Sequence, residues 1–553
     1  MEQRLKPWKV AILKTRLAAS RLAAGRRAAA LIVLLTWWLA PLACSRNLAS
    51  PALTTATALA GSAQTSMVTA SPVPPAATTL NPGTAGGNID PQPVAPTLET
   101  TSTPDPLSPT PTERATQDPP ILYYTQAGDT LKGVAARFNV QPTEITSPEK
   151  IKTEGLFDPG VLLLIPHRLG ETSSSTPLIP DSEVVYSPSA LDFDINEFVQ
   201  EAGGKLAKDY REWRSSGWYD GVGVIQRVAI ENSINPRLLL VILERQSHWV
   251  YGQPKSLAET DYPIGWLKAE NDKKGLYYQL SWAVQQLNIG YYGWRGGTLT
   301  ELTFPDGQKL RLAPDLNAGT VALLYLFSRL YTQPQWAGIL YGPDGLMTQY
   351  ENMFGNPWMR AQTVEPLFPA TLTQPPLELP FLPGHTWSMT GGPHSAWARD
   401  GATAALDFAP SSVKHGCYES TEWVTASAAG LIVRSENAQV ILDLDGDGYE
   451  QTGWAILYMH VATKDRASVG TWVSLNDPIG HPSCEGGVTT GTHVHMARKY
   501  NGEWILADGP MPFVLSGWQA HAGSSLYKGT LTQGDQVVYA SDVGSYESRV
   551  TRP

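Results

Sequence analysis

With 553 residues, 42% hydrophobic and 17% charged side chains, the chain is too long for one core and has the composition of several globular domains. Its 44 prolines and 49 glycines point to linkers between them. The formal charge is −10 although eight Lys/Arg crowd the first 27 residues, which argues against nucleic acid as a partner, because phosphate binding needs a basic face.

Arg4, Lys6, Lys9, Lys14, Arg16, Arg21, Arg26 and Arg27 precede an apolar run from Ala28 to Ala43 that ends at Cys44-Ser45. A basic stretch before a short apolar run is the layout of a secretory signal. The run is short for a membrane span, which needs about 20 residues. Leu42-Ala43-Cys44 resembles the lipobox of bacterial lipoproteins, although Pro41 stands where that motif usually has leucine. The resemblance implies a signal over 1–44, lipidation of Cys44 and an exported, membrane-anchored protein. An uncleaved anchor and ordinary secretion are the alternatives. Residues 45–120 are mostly Thr, Pro, Ser and Ala. They cannot bury enough apolar surface to offset ordering entropy and are expected as a disordered linker. A flexible coil of that length spans roughly 50 Å.

Residues 121–167 form the first compact unit. Tyr123-Tyr124-Thr125 reads as a strand, and Leu131, Val134, Ala135 and Phe138 have helical spacing after the turn Gly128-Asp129-Thr130. A second short helix is expected around Pro142–Ile145, then a strand at Val161–Pro166. Tyr-x-x-x-Gly-Asp-Thr-Leu near the start and Pro-Gly-x-x-Leu-x-Ile-Pro at the end resemble a LysM module. That resemblance implies a small βααβ fold that binds N-acetylglucosamine-containing glycans through Gly128, Asp129, Thr130, Leu131 and the stretch near Ile151.

After a linker over 168–185, residues 186–365 read as mainly α-helical. Asn235-Pro236 is a strong helix start, with Asn as cap and Pro in the first turn. An apolar run, Leu238 to Leu243, and Glu244-Arg245-Gln246-Ser247-His248-Trp249 follow. A second helix, Leu276–Trp294, is rich in Tyr, Trp, Gln and Asn, and Thr303–Gln308 reads as a hairpin turn. The first of these segments resembles lysozyme-like transglycosylases and glucosaminidases, which have Glu-Ser where this chain has Gln246-Ser247. An amide has no proton to give at neutral pH, and Glu244 lies on another helix face. The domain is therefore read as lacking acid catalysis at that step: a glycan-binding remnant, a structural spacer, or a glycosidase using another carboxylate.

A proline-rich linker (366–384) leads to a domain over 385–527, with a tail over 528–553. Its signals are β: Gly430–Arg434, Val440–Leu444 and Ala455–Tyr458, separated by Gly and Asp turns. Eight of the ten histidines fall here, and His493-Val-His495 on a strand would face both imidazoles the same way. His394, Asp407 and His460 complete a set of nitrogen and oxygen donors that suits zinc. No His-Glu-x-x-His occurs, which excludes zinc peptidases built on that helix motif. Cys417 and Cys484 remain after Cys44 and are expected to pair as a disulfide in an oxidising compartment. Asp443-Leu-Asp445-Gly-Asp447-Gly448 starts like a calcium loop, but Trp454 stands where its bidentate Glu belongs. A tight turn and a weak Ca2+ site both fit.

Gly391-Gly-Pro-His394, Leu406-Asp407, Tyr458-Met-His460, Gly470-x-x-Val473, Gly480 and Thr490-Gly-Thr-His-Val-His495 resemble the lysostaphin-type and β-lytic zinc metallopeptidases, which cut peptides of bacterial cell walls. Twelve residues separate His394 from Asp407, which resembles the β-lytic branch, where an insertion lies between these ligands. The resemblance implies that His394, Asp407 and His495 hold Zn2+, with His460 and His493 as base and transition-state stabilisers of an attacking water. His385, His415, His481 and His521 are set aside as bystanders.

The chain as a whole is thus expected to be multidomain: a small βααβ LysM module, a mainly α lysozyme-like domain, and a C-terminal antiparallel β metallopeptidase domain. Its expected activity is zinc-dependent endopeptidase cleavage of peptidoglycan stem or cross-link peptides, with the glycan held by the LysM module and a lipid anchor in the membrane. A non-catalytic wall-binding regulator of the same fold is the alternative, and a general extracellular peptidase is a third reading.

Overall fold

The computed structural model describes residues 118–208, 210–267, 273–369, 371–397, 399–411 and 416–553, all within the compact unit Thr110–Pro553. The basic leader, Cys44, the Pro/Thr-rich stretch and His415 lie outside these residues. Among the described residues, no helix is long and apolar enough to cross a membrane.

The first module pairs β1 (Ile121–Tyr124) antiparallel with β2 (Leu162–Ile165) around α1 (Leu131–Phe138). Thr130 caps α1 by accepting from Gly133 N, and Asn139 closes it in the left-handed conformation. Tyr123, Val134, Phe138, Leu163 and Ile165 form its core. The expected second helix is only a 3-10 turn, Pro142–Glu144. Pro142 starts the turn and Glu144 folds back onto Gln141 N, but the chain leaves it extended at Ile145.

The middle region follows with α2 (Ile195–Ala202), the hairpin β3 (Arg211–Arg214) and β4 (Gly217–Asp220), then α3 (Gly221–Asn232), α4 (Pro236–Ser247), α5 (Leu257–Asp261) and α6 (Leu276–Arg295). A second hairpin, β5 (Glu301–Thr303) and β6 (Lys309–Arg311), precedes α7 (Ala318–Ser328), α8 (Gln333–Tyr341), α9 (Leu346–Phe354) and α10 (Pro357–Ala361). Asn235 caps α4 as expected, and all of Leu238–Leu243 is fully buried. The stretch expected as a linker before residue 186 is part of this core, since Ile179, Val184 and Val185 are buried in it.

The C-terminal region is built on a nine-stranded antiparallel sheet ordered β13-β10-β11-β12-β15-β8-β7-β21, with β16 paired to β15. The strands are β7 (Thr386–His394), β8 (Ala405–Pro410), β10 (Gly430–Glu436), β11 (Gln439–Asp443), β12 (Trp454–Met459), β13 (Trp472–Val473), β15 (Val494–Tyr500), β16 (Glu503–Trp504) and β21 (Arg549–Thr551). A two-stranded pair, β9 (Val424–Thr425) and β14 (Pro478–Gly480), and a four-stranded sheet, β17 (Val514–Leu515) to β20 (Gln536–Tyr539) through β18 (Trp518–Ala522) and β19 (Gly529–Gln533), complete it. Residues after 527 are therefore not a free tail: β19 and β20 extend the small sheet and β21 pairs with β7. Likewise Leu377, Leu379 and Phe381 of the expected linker are buried in this region's core.

The two faces of the large sheet have different neighbours. Val440, Leu442, Ile456, Tyr458, Val494, Met496, Leu406 and Phe408 pack into the region's own core. The alternate residues Ile441, Ala455, Leu457, Met459, Ala497 and Ala405 join the core of the helical region instead. Polar contacts pin this seam: Ser233 donates to Gly502 O at 2.6 Å, Tyr291 to Glu503 at 2.7 Å, and Trp504 N to Tyr292 Oη at 3.0 Å. Arg295, at the end of α6, bonds Asp181 and Glu503 and also donates to the Ala127 carbonyl of the first module.

Candidate metal centre

Three strands bring the expected ligands into one row. His495 lies directly opposite Asp407 across β15 and β8, and Asp407 lies opposite Gly391 across β8 and β7. His495 and Asp407 share the sheet face of Ala497 and Ala405, the face that the helical region covers farther along. Irregular register between Gly391 and His394 swings His394 onto this row. His460 follows β12 in a left-handed conformation (φ 63°), and His493 precedes β15 with the parity of His495.

The donor atoms converge. His394 Nε2 is 3.0 Å from His495 Nδ1 and 3.3 Å from Asp407 Oδ1, and His495 Nδ1 is 3.1 Å from the same oxygen. All three residues are buried. A tetrahedral shell with bonds of about 2.0–2.1 Å has edges of about 3.3 Å, so these atoms occupy the corners of such a shell. His493 Nε2 is 3.7 Å from Asp407 Oδ1, and the His460 and His493 rings lie 4.5 Å apart.

Each of the four imidazoles is tied to a backbone carbonyl. His394 Nδ1 donates to Gly392 O (2.8 Å), His495 Nε2 to Ala396 O (3.0 Å), His460 Nδ1 to Glu485 O (2.9 Å) and His493 Nδ1 to Gly491 O (2.7 Å). A carbonyl only accepts, so each of these nitrogens carries the ring proton, and the other nitrogen presents a lone pair to the groove. Two lone pairs and a carboxylate oxygen within 3.3 Å repel one another unless a positive charge sits among them. The donor set therefore fits a divalent metal, and zinc in particular.

The protonation tendencies agree. Burial works against the Asp407 charge, but His394, His493 and His495 outweigh it and hold its carboxyl well below the usual carboxylate range. Burial also disfavours a charged His394, yet Asp407 raises its pKa. A proton on this pair is the stand-in for a cation. Burial, His493 and His495 lower His460 to about 4, leaving it neutral at pH 7 with a free nitrogen.

Gly391 makes room for the carboxylate: a Cβ there would lie 2.5 Å from Asp407 Oδ2 and 3.0 Å from its Cγ. Gly391→Ala should therefore displace Asp407 and weaken zinc binding by about 10-fold or more, read by chelator competition. Unchanged affinity would mean that the carboxylate does not set the site.

Cys417 and Cys484 form the expected disulfide. It joins two loops beside the site, one carrying Gly416, whose carbonyl holds Thr492 N, and one carrying Glu485, whose carbonyl holds His460. The groove over the site has a volume of about 990 Å³ and is lined by His394, Asp407, His460, His493 and His495 together with Trp397, Arg399, Tyr418, Tyr527 and Tyr277. Trp397, Arg399, Tyr418, Tyr527 and Tyr277 all escaped the sequence reading. Tyr527 stacks on His394 at 4.2 Å, from a segment without a motif. Tyr277 comes from α6, outside the β region altogether.

Three other described histidines of this region lie elsewhere: His385 contacts Glu422, His481 bonds Glu422 O and packs on Trp423, and His521 bonds Thr532. Asp443, Asp445 and Asp447 bring oxygens within 4.8 Å of one another. Their carboxylates already accept from Gly448 N, Asp445 N, Asp447 N and Tyr449 N, so the structure accounts for this loop as a self-capped turn. In the first module, Asp129 is buried in an ion pair with Arg137 and accepts from Tyr123 Oη, while Gly128 (φ +85°) packs against Arg295 where a side chain would collide. Thr130, Leu131 and Ile151 are half-buried. In the helical region, Gln246 donates to Ile264 O and accepts from Tyr331 Oη, and buried Glu244 accepts from Val250 N and Tyr251 N.

The chain is similar to several known proteins. The family model described as "LasA, N-terminal domain" matches residues 177–367, the helical region. Protease LasA of Pseudomonas aeruginosa is 26% identical over 365 residues, covering 62% of this chain and 78% of that protein. The β-lytic metalloendopeptidase of Achromobacter lyticus is 28% identical over 158 residues, covering 27% of this chain and 39% of its own. The solved structure "A Novel M23 Metalloprotease Pseudoalterin from Deep-sea" is 24% identical, covers 31% of this chain and 96% of its own, and has a TM-score of 0.26. The named homologues of this chain are thus metalloendopeptidases.

Proposed function

We propose that the chain is an exported zinc endopeptidase that hydrolyses peptide bonds of bacterial peptidoglycan. The observation that carries this reading is the set of four imidazoles in one groove, each held by a backbone carbonyl, with the free nitrogens of His394, His493 and His495 3.1–3.7 Å from Asp407 Oδ1. His394, Asp407 and His495 would hold the metal. Zinc held there supplies Lewis-acid chemistry, acidifying water and polarising a carbonyl. His460 and His493 stand beside it with unprotonated nitrogens, so either can take a proton at Nε2 and return it to the departing amine. The carbonyls of Glu485 and Gly491 keep those rings oriented and stabilise them when they carry charge.

Peptidoglycan as substrate rests on the cell-wall-lytic resemblance of the motifs and on the LysM-like module. Glycan binding by that module is proposed through Thr130, Leu131 and Ile151, with Gly128 and Asp129 shaping the loop rather than facing a ligand. Lipidation at Cys44 is proposed from the lipobox alone. The helical region is given no acid chemistry, because Gln246 and Glu244 are both spent on internal hydrogen bonds.

Purified full-length protein should hold one zinc per chain and release new amino termini, but no reducing ends, from isolated peptidoglycan. Chelation should stop the release and zinc should restore it. Absence of zinc, or release of amino termini that survives chelation, would overturn the reading.

A further inference from the structure

The groove runs on past the metal ligands. Ser388 and Thr390 of β7 and Ala409 of β8 line it there, all small side chains. Ala409 lies opposite Ser388 across β8 and β7, and Ser388 lies opposite Arg549 across β7 and β21. Arg549 is thus two strands over from Ala409, which is two residues from Asp407. Strand spacings of about 4.8 Å and a rise of about 3.4 Å per residue place its backbone about 12 Å from that of Asp407. An extended peptide covers that distance in about three to four residues.

The C-terminal segment walls this end of the groove, where Lys528, Asp542 and Gly544 line it with Arg549. Backbone bonds fix the turn, from Ser541 N to Met389 O at 3.1 Å and from Gly544 N to Ser541 O at 3.0 Å. Arg549, Lys528 and Asp542 are exposed, and none of them forms an ion pair among the described residues. Arg549 packs over the Tyr546 ring at 5.6 Å, which orients the guanidinium without neutralising it. Apart from Asp407, Asp542 is the only acid among the described lining residues, against the cations Arg399, Lys528 and Arg549. A groove with such an excess attracts negative charge.

We propose that Arg549 is a specificity-determining residue of this groove: it binds a free carboxylate that the substrate peptide carries about three to four residues from the bond that is cut. The guanidinium fork matches a carboxylate with two parallel hydrogen bonds. Lys528 adds to the attraction, and Asp542 on the same wall repels a second negative charge, so the subsite suits a peptide with one carboxylate there rather than a polyanion. This inference rests on the endopeptidase reading above and names a feature of its substrate.

The test uses the full zinc-loaded chain and soluble cross-linked muropeptides, their free carboxylates either intact or converted to primary amides, and reads released amino termini. Amidation should raise the wild-type KM by about 5-fold or more. It should leave kcat little changed, because the contact is equally strong in the ground and transition states. Arg549 is exposed on an edge strand, so Arg549→Gln should keep the wild-type thermal transition and zinc content. It should raise KM for the intact peptides by a similar factor and respond little to amidation. Arg549→Lys should retain part of the preference, as a point charge without the fork. Equal wild-type KM on both substrates, or an Arg549→Gln variant as sensitive to amidation as wild type, would overturn the inference while leaving the endopeptidase reading intact. A wild-type chain that cuts neither substrate overturns that reading and this inference with it.

Discussion

Asp407→Ala should abolish zinc retention and reduce peptide hydrolysis by roughly three orders of magnitude, the rate equivalent of losing several kcal/mol of Lewis-acid stabilisation. The carboxylate is the only anion in the ligand trio, and its Oδ1 lies 3.1–3.7 Å from nitrogens of three histidines. Without it, two neutral imidazoles face a dication with no charge to offset it. A thermal-shift comparison separates this from misfolding. Zinc that binds only the native state stabilises it by mass action, so wild type should gain several degrees on adding zinc and the variant none. The variant without metal should be about as stable as chelated wild type, since it has also lost the repulsion among three acceptors. The pH dependence has a definite sign. Asp407 raises the His394 pKa above the ordinary histidine value although burial opposes it, so protons compete with zinc as pH falls through that raised value. Zinc affinity should therefore begin to decline at a higher pH than an unperturbed histidine ligand would give. A zinc-dependent thermal shift that persists in Asp407→Ala would remove this residue from the site.

Much of this centre was legible because strand periodicity is simple. His493 and His495 share parity, and the order His394, Asp407, His460, His493, His495 along the chain matched a known pattern. The cysteine pair was legible by elimination. What was not legible is the support: four backbone carbonyls hold the four rings, and any residue type supplies a carbonyl. Tyr527 reaches His394 from a stretch with no periodic pattern, and the strands after it pair with segments far away in sequence. The expected short second helix of the first module is present as a single 3-10 turn, Pro142–Glu144, because Pro142 begins a turn that nothing propagates.

The seam between the sheet and the helices left a trace that was not used. Gln439–Asp443 and Trp454–Met459 are nearly continuous apolar runs rather than alternating ones, and their residues are buried on both faces. Such runs belong to strands covered on both sides. A second cover for the sheet was thus implied, and the helical region provides it. Buried charges on this sheet gave no such warning, although Arg498 and Lys499 are both buried.

Those buried charges carry the second large effect. Glu450→Gln should destabilise the protein by about 3 kcal/mol at pH 7, the usual scale for stranding a buried partner, and lower the thermal midpoint by about 3 °C, given the size of the compact unit. Glu450 accepts from Arg434 (2.6 and 3.0 Å) and from Lys499 (2.6 Å), and all three are shielded from solvent. Burial pushes the Glu450 pKa upward, but Arg434 and Lys499 outweigh it and bring it to about 2. A carboxylate with a depressed native pKa adds stability above its unfolded value of about 4.5, and that stability is lost as pH falls through about 2. The difference of about 2.5 units corresponds to about 3 kcal/mol. In the glutamine variant, burial already pulls Lys499 downward and nothing opposes it, so Lys499 can shed its proton, while Arg434 remains charged without its closest carboxylate. The stability gap between wild type and variant should then be full at pH 7, shrink between about 4.5 and 2, and vanish below, because wild type loses its carboxylate there too. Arg434 also bonds Gln439, which donates to Glu231 of α3, so the network lies on the seam. Equal stability of the two proteins at pH 7, or a gap independent of pH, would show that the triad is not the ion cluster its geometry describes.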